Sequence, residues 1–221
     1  MTAVDDVNRD QMLDRLSFTA EELVFLEFVG RREGSPPSPM AELMGFTPAD
    51  SEEDETAAIG MRSLVARDLV TVDGEELDVH LSAAACAEVI STVERCVMVM
   101  AVSAEGVHPV RVIEGGGFRF LIGPRPPLVT DFVIIDPVVS IEALVVDLVE
   151  SAIADDAPAV EVFSELPAAL IAGAVDGAGD FSVAGLGPSA ERTADRRRCS
   201  SIQEMVKLAL ASAPGREIGE L

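Results

Sequence analysis

The sequence predicts an α+β protein, with a winged-helix-like N-terminal part followed by an antiparallel or mixed sheet with flanking helices. Apolar residues recur at helical spacing through much of the first 95 residues. From residue 96 onwards, β-rich runs alternate with glycine and proline. We therefore predict a winged-helix-like helical domain over residues 1–95 and a sheet-and-helix domain over residues 96–221.

Three predicted helices and a hairpin make up most of the first domain. Thr19 and Glu22 form a capping-box pattern that begins the first helix, and Gly30 ends it. Asp73-Gly74 is a turn signal between two short strands. The three predicted helices span residues 19–30, 40–44 and 51–68, and the hairpin strands span 69–72 and 77–81. A further helix is predicted over 82–95. Three helices followed by a hairpin is the order of a winged helix.

The second domain changes to β periodicity. We predict strands over 97–103, 110–113, 118–122, 129–135 and 160–163, and helices over 140–154, 166–175 and 201–211. In the first of these helices, we expect Leu144 and Leu148 to face inwards. The Gly/Ala-rich segment 176–190 is expected to be mobile, and Ser201 with Glu204 forms a second capping-box pattern.

Net charge limits the classes of partner. The chain has 221 residues and a formal net charge of −23, with no Trp or Tyr. Such a surface repels phosphate, so nucleic acid and anionic membranes are disfavoured. The helix that would enter a DNA groove in a winged helix, residues 52–68, carries a net charge of −3. We therefore expect no nucleic-acid binding and no membrane binding.

Cellular location is predicted from the cysteines and the N-terminus. Cys86, Cys96 and Cys199 show neither disulfide nor zinc spacing, and an odd number of cysteines fits a reducing cytoplasm. The opening MTAVDDVNRD is acidic rather than a signal peptide. No apolar run approaches the ~20 residues of a membrane helix. These features predict a cytoplasmic protein.

Catalytic and ligand-binding constellations are not apparent. His80 and His108 have no Cys, His or carboxylate at metal spacing. The turn at 115–117 resembles a phosphate cradle in composition, but a strand follows it where a helix would be needed. Cys199 follows three arginines, which leaves a reactive thiol as an alternative to a buried one. We expect no catalytic residue, no cofactor and no metal, and therefore no enzyme.

The strongest candidate for a partner surface is the hairpin 110–122. It carries Arg111, Phe118, Arg119 and Phe120, and Arg and Phe are enriched at interfaces. Alternation puts the two phenylalanines on one face of the strand and Arg119 on the other. We predict these four as partner-binding residues. The alternative is that the phenylalanines are core residues and Arg119 is solvated.

A single-sign segment offers a second surface. Residues 126–191 contain twelve acidic side chains and no Lys or Arg, whereas solvated surfaces normally mix both signs. The segment serves either solubility or a partner that brings positive charge. Residues 196–198, three arginines in a row, form the one positive cluster of the sequence.

The order of several segments is similar to that of a known family. The segments are 16–23 (LSFTAEEL), 45–47 (GFT), 51–56 (SEEDET), 63–70 (SLVARDLV), the turn 73–74 (DG), the strands between 97 and 135, the helix 141–149, and 158–162 (PAVEV). In these, the sequence resembles the actinobacterial EspG family of chaperones associated with ESX (type VII) secretion, with Asp68 where the family often has glycine.

That resemblance implies an α+β fold with a central sheet, no catalysis, and cytoplasmic binding of a helical secretion substrate of the PE–PPE type. We accordingly predict a non-catalytic protein-binding module, chaperone-like and of the EspG kind. The alternative is a winged-helix transcriptional regulator with a C-terminal sensing domain. A regulator is expected to bind DNA or heparin at low salt, whereas an acidic chaperone is not.

Overall fold

A computed structural model describes residues 15–31, 36–45, 53–74, 76–125, 129–166, 171–176, 179–186 and 192–211. Over these residues the protein is mixed α+β, with mainly antiparallel strand pairing. The helices are α1 (Ala20–Gly30), α2 (Pro39–Met44), α3 (Glu53–Ala66), α4 (Leu81–Ser91), α5 (Ile141–Ala154) and α6 (Ile202–Ala211). The strands are β1 (Arg15–Thr19), β2 (Val70–Asp73), β3 (Glu76–Val79), β4 (Val93–Ser103), β5 (Gly106–Gly115), β6 (Phe118–Arg125), β7 (Val129–Ile134), β8 (Ala159–Leu166), β9 (Ile171–Val175), β10 (Phe181–Leu186) and β11 (Arg192–Arg198).

The chain forms two compact units, and each unit is built from two stretches of sequence. The first unit comprises Met1–Val93 and Glu114–Ile135, and the second comprises Glu94–Ile113 and Asp136–Leu221. The predicted domain boundary at residue 95 lies close to the point between Val93 and Glu94 where the chain first passes from one unit to the other. The sequence analysis did not predict that residues 114–135 belong to the first unit. That the two predicted domains fold independently stays a prediction.

In the first unit, helices pack around a three-stranded antiparallel arrangement. Strand β7 pairs with β1 on one side and with β6 on the other, and α1 packs against both α3 and α4. The largest fully buried side chains include Phe18, Leu26, Leu64, Ile90 and Phe132. The predicted order of three helices and a hairpin is present, but β1 was not predicted.

Local capping signals were confirmed in this unit. Thr19 Oγ1 accepts from the Glu22 amide at 3.3 Å, and the Glu22 carboxylate accepts from the Thr19 amide at 3.0 Å. Gly45, with φ +69°, ends α2. After α3, Asp68 has φ +57°, a backbone region that glycine favours. This is the position where the EspG family often has glycine.

The second unit pairs its strands in the order β5-β4-β8-β9-β10-β11. Helix α6 packs against β8, β9 and β10, and α5 packs against α6 and β8. At Gly173 of β9, an added Cβ would lie 2.9 Å from Met205 Cγ of α6. A small residue in β9 therefore permits the close approach of this helix. No helix in the described part of the chain is long and apolar enough to span a membrane.

Two predictions for residues 166–190 were wrong. In the predicted helix 166–175, residue 166 instead ends β8 and residues 171–175 form β9, while residues 167–170 lie outside the described part. Alanine-rich composition favours helix locally, but pairing of β9 with β8 and β10 decides the structure. Within the segment expected to be mobile, 176–190, residues 181–186 form β10, which pairs on both sides. Residues 177–178 and 187–190 of this segment are not among the described residues. Strand β11 was not predicted.

The inner face of α5 is displaced from the predicted one. Ser140 Oγ caps the helix by accepting from the Ala143 amide at 3.1 Å. The buried positions are Ile141, Val145 and Val149, which are four residues apart, whereas Leu144 and Leu148 are only half-buried. The predicted apolar face is therefore the correct one, but the fully buried residues lie on one side of it rather than at Leu144 and Leu148.

Candidate functional site

Arg111, one of the four predicted partner-binding residues, is held within the second unit. Its guanidinium donates to both carboxylate oxygens of Glu165 on β8, at 2.7 and 3.2 Å. Such bidentate pairing fixes the guanidinium geometry. The same carboxylate accepts from Cys96 Sγ at 3.2 Å. Burial, followed by the Glu165 charge, raises the pKa of the Cys96 thiol well above its ordinary value.

Phe118 and Phe120 belong to the interior of the first unit. Their exposed fractions are 9% and 3%. The Phe120 ring packs edge-to-face on Phe132 with 5.9 Å between centroids, and Phe132 packs in the same way on Phe18 at 5.4 Å. Edge-to-face pairs add stability beyond the area they bury. This burial favours the core role that was left open for the phenylalanines.

Arg119 is buried on the opposite face of the same strand. Its side chain is 8% exposed, and its Nη2 lies 2.5 Å from Glu114 Oε1. The two residues flank a turn in which Gly116 and Gly117 both have positive φ, +56° and +80°, as a type I′ hairpin turn requires. Arg119 is thus not solvated. The hairpin-turn interpretation of residues 115–117 agrees with this geometry.

A charge reversal at Arg119 is expected to destabilise the protein. Arg119→Glu places a second carboxylate beside Glu114 in a position with little access to water, and we expect a loss of about 2 kcal/mol. The measurement is a urea unfolding curve. Arg62→Glu, at an exposed arginine of α3, is the control and should change stability by less than about 0.5 kcal/mol. Equal midpoints for the two variants would contradict the buried pair.

A fully buried carboxylate connects α1 to the end of α3. Glu22, 1% exposed, accepts from Arg67 Nη1 at 2.7 and 2.8 Å and from Ser63 Oγ at 2.7 Å. The Arg67 guanidinium also lies 5.8 Å from the centre of the Phe18 ring. With the Thr19 amide, the Glu22 carboxylate has donors for both oxygens. The arrangement is structural, since its hydrogen-bonding capacity is used within the fold.

A second carboxylate cluster lies at the β1–β7 pair. Asp131 accepts from Ser17 and Arg15, and Arg125 Nε lies 3.5 Å from its Oδ1. Burial alone would raise the pKa of Asp131, but the Ser17 and Arg15 hydrogen bonds and the two positive charges lower it below its ordinary value. Asp131 of β7 thus forms ion pairs with arginines of both neighbouring strands, β1 and β6.

The lowered pKa of Asp131 predicts a pH dependence. A depressed pKa in the folded state contributes stability above the pKa of the unfolded chain, and this contribution is lost as pH falls through the folded value. Asp131→Asn should therefore be less stable than the natural chain at pH 7 and should lose less stability between pH 5 and pH 3. Thermal melts across this range test it, and parallel curves for both proteins would contradict it.

Several acids of the single-sign segment 126–191 are paired with arginines from outside it. Besides Asp131, these are Glu165 with Arg111, Asp180 with Arg198, and, at 4.0 Å, Glu142 with Arg95. Arg197 of the positive cluster lies 3.4 Å from Glu204. In the folded protein, part of the negative charge of this segment is therefore compensated by arginines from outside it.

Histidines and cysteines take structural positions. His80 Nδ1 accepts from the Ser82 amide at 3.3 Å and so caps α4, and His108 Nε2 lies 2.9 Å from Ser103 Oγ in an exposed turn. The three cysteines are buried and free. Burial and the Glu204 charge raise the pKa of Cys199 despite Arg197, which disfavours the reactive-thiol alternative. Within the described residues, no group of three or more potential metal ligands occurs.

Exposed apolar side chains mark surfaces that the sequence analysis did not single out. In the first unit, Val72 and Leu77 are directly paired across β2 and β3 and are 51% and 48% exposed. Phe28 of α1 is 47% exposed. The signal available was an apolar residue on each side of the Asp73-Gly74 turn. Exposed apolar side chains of this kind suit contact with another protein.

Comparisons with known proteins give a fold and no family. No protein-family model matches the chain, and no curated protein matches it. The chain is similar to a solved structure, that of the Mycobacterium tuberculosis type VII secretion system chaperone EspG5 in complex with the PE25–PPE41 dimer. The TM-score is 0.58 at 13% identity, over 92% of this chain and 98% of that chain. The likeness confirms an EspG-like α+β fold, while a winged-helix N-terminal part is not confirmed.

Proposed function

We propose that this chain is a non-catalytic, chaperone-like protein that binds another protein in the cytoplasm. The observation that carries the proposal is the fold similarity to the chaperone EspG5 over 92% of the chain. In that structure EspG5 is in complex with a PE25–PPE41 dimer. The client we propose is accordingly a helical secretion substrate of the PE–PPE type.

The chemistry of the chain supports binding over catalysis. Among the described residues, the most buried carboxylates, those of Glu22, Glu27, Asp131 and Glu165, each lie within 3.8 Å of an arginine. Both histidines take part in local hydrogen bonds at the ends of secondary-structure elements. Groups occupied in this way are poor general acids or bases, because a catalytic group must be free to exchange a proton with a substrate.

The exposed pair Val72 and Leu77 is one proposed contact surface. Apolar side chains at the centre of an interface supply much of the binding free energy. The four residues proposed from the sequence (Arg111, Phe118, Arg119 and Phe120) are another. Since these four are buried or half-buried, variants such as Arg119→Lys, which keep the charge, are needed to separate a loss of binding from a loss of folding.

The experiment is capture of a client from the native cytoplasm, followed by size-exclusion chromatography of the complex. We expect a stable complex with a predominantly helical protein. The double variant Val72→Glu/Leu77→Glu should abolish capture, whereas Thr71→Glu, at the exposed neighbouring position of the same hairpin, should not. A chain that captures no protein and remains free at micromolar concentration would contradict the proposal.

The alternative function is a transcriptional regulator with a C-terminal sensing domain. The order α1-α2-α3-β2-β3 favours it, since this is the order of a winged helix. The acidic first turns of α3 oppose it, because phosphate contacts need positive charge. A mobility-shift assay at about 50 mM salt, where backbone contacts are strong, separates the two. We expect no shift, and tight binding that resists competitor DNA would favour the regulator.

A further inference from the structure

A polar cavity opens between α1, α4 and the segment that precedes α2 in the first unit. Its volume is about 350 Å³, within the size range of small-ligand sites. The lining residues are Glu27, Gly30, Arg31, Pro36, Ser38, Glu88, Ser91 and Thr92. None of these belongs to the contact surfaces considered above.

Two helices end at this cavity. Gly30 and Arg31 are the last residue and the C-cap of α1, and Ser91 and Thr92 are those of α4. Carbonyl groups at helix C-termini carry partial negative charge, which basic side chains usually complement. Neither helix has a basic residue in its last turn. Arg31, the C-cap of α1, brings one positive charge to the end of that helix and lies 3.8 Å from Glu27. The end of α4 has no basic residue of its own, so it favours a positive group in the cavity.

The close packing of the two helices fixes this geometry. A Cβ on Gly30 would lie 2.5 Å from the Ala87 carbonyl oxygen and 2.6 Å from Ser91 Oγ. Only a residue without a side chain allows this approach. The cavity is thus a consequence of direct contact between the ends of α1 and α4.

Two hydroxyl groups in the lining, those of Ser91 and Thr92, present acceptors rather than donors. Ser91 Oγ donates to the Ala87 carbonyl at 2.7 Å, and Thr92 Oγ1 donates to the Glu88 carbonyl at 2.7 Å. A hydroxyl that has used its proton in this way has only lone pairs left. These two hydroxyl groups therefore offer hydrogen-bond acceptors towards the cavity.

The carboxylates differ in how they are engaged. Glu27, 4% exposed, accepts from the Ser38 amide at 3.0 Å and lies 3.8 Å from Arg31 Nε. For Glu88, the structure gives its carboxylate no hydrogen-bond or ion-pair partner within the described residues. Its side chain packs beside Gly116, where an added Cβ would lie 2.4 Å from Glu88 Cγ. The Gly116 backbone therefore packs closely against the Glu88 side chain.

From this cavity, its acceptors and its charge, we infer a binding site for an alkylguanidinium or alkylammonium group. Such a group brings several N–H donors and one positive charge, which match the Glu88 carboxylate, the lone pairs of Ser91 and Thr92, and the C-terminus of α4. The source is either a basic side chain of another protein or a free polyamine. The site is independent of the proposed client and goes beyond the proposed function.

Titration of the ¹⁵N-labelled full chain by NMR tests the inference, since the protein has no Trp or Tyr for fluorescence. The probes are N-acetyl-arginine amide, spermidine, and N-acetyl-glutamine amide as the neutral control. We expect at least one of the two cationic probes to cause saturable shifts of the Gly30, Ser91 and Thr92 amides. The neutral control is expected to cause none. Saturation by the arginine derivative identifies a protein side chain as the source, and saturation by spermidine alone identifies a polyamine.

Glu88→Gln keeps the shape of the side chain and removes its charge, so we expect at least a tenfold weaker affinity with an unchanged melting temperature. Glu150→Gln, at an exposed carboxylate of α5, is the matched control and should bind as the natural chain does. The inference is overturned if neither cation saturates these amides at about 10 mM, a concentration that fills even a millimolar site. Equal affinity in Glu88→Gln would also overturn it. Client capture by the same variant is expected to persist, so failure here is distinct from failure of the proposed function.

Discussion

Phe132→Ala is expected to lower the free energy of unfolding by about 3–5 kcal/mol. Phe132 is 1% exposed and lies between the rings of Phe18 and Phe120, with centroid distances of 5.4 and 5.9 Å. Its strand, β7, lies between β1 and β6 and pairs with both. Removing the ring leaves a cavity and ends both edge-to-face contacts, so the loss includes transfer, cavity and aromatic contributions. Urea unfolding followed by circular dichroism measures it.

Phe28→Ala is the matched control for this substitution. Phe28 is 47% exposed, so its truncation removes little buried area, and we expect a change of less than about 1 kcal/mol. Similar losses in both variants would show that Phe132 does not occupy the centre of the core of this unit.

Gly60→Ala is expected to destabilise the protein by about 3 kcal/mol, although the same exchange inside a helix ordinarily stabilises by about 1 kcal/mol. The reason is contact between α3 and α1. A Cβ at Gly60 would lie 2.1 Å from the Glu21 carbonyl oxygen and 3.0 Å from Glu22 Cα. Both are backbone atoms, so the helices would have to separate, and the buried Glu22–Arg67 contact would be lengthened with them. Thermal and urea unfolding both give the sign.

The reverse exchange on the same helix provides the control for Gly60→Ala. Ala58→Gly should lower stability by about 1 kcal/mol or less, through helix propensity alone. A Gly60→Ala variant as stable as the natural chain, or more stable, would mean that α1 and α3 do not approach this closely in solution.

Signals that act over a few residues were predicted from the sequence. The Thr19–Glu22 capping box, the Gly45 helix end and the turn at Asp73-Gly74 all depend on neighbours within four positions. Ser201 also begins α6 as expected, by accepting from the Glu204 amide. The Glu204 carboxylate, however, accepts from Ser200 instead of closing the box. Local chemistry thus determined where helices begin and end.

The strands that the prediction omitted have no clear β pattern of their own in the sequence. The run 171–175 is rich in alanine and glycine, and its pattern does not distinguish a helix from a strand that lies under α6 at Gly173. Strand β1 is only five residues long and pairs with residues more than one hundred positions later. Neither pairing leaves a periodic signal in a single sequence.

The candidate site contains one ion pair between residues near in sequence and one between distant residues. Arg119 and Glu114 are five residues apart around a two-glycine turn, a spacing that indicates a cross-strand pair. Arg111 and Glu165 are 54 residues apart, and composition alone gives no sign of their contact. The charges of all four residues are evident in the sequence, whereas their burial is not.

The pairing of β1 with β7 also constrains how the protein is made. Ser17 and Asp131, which are hydrogen-bonded, are 114 residues apart. At about 5–20 residues per second, a ribosome takes on the order of 10 s to synthesise that interval. Throughout this time Phe18 has neither its strand partner nor Phe132 to cover it. Residues 94–113 of the second unit emerge before residues 114–135 complete the first, so the nascent chain begins its second unit while its N-terminal strand is still unpaired.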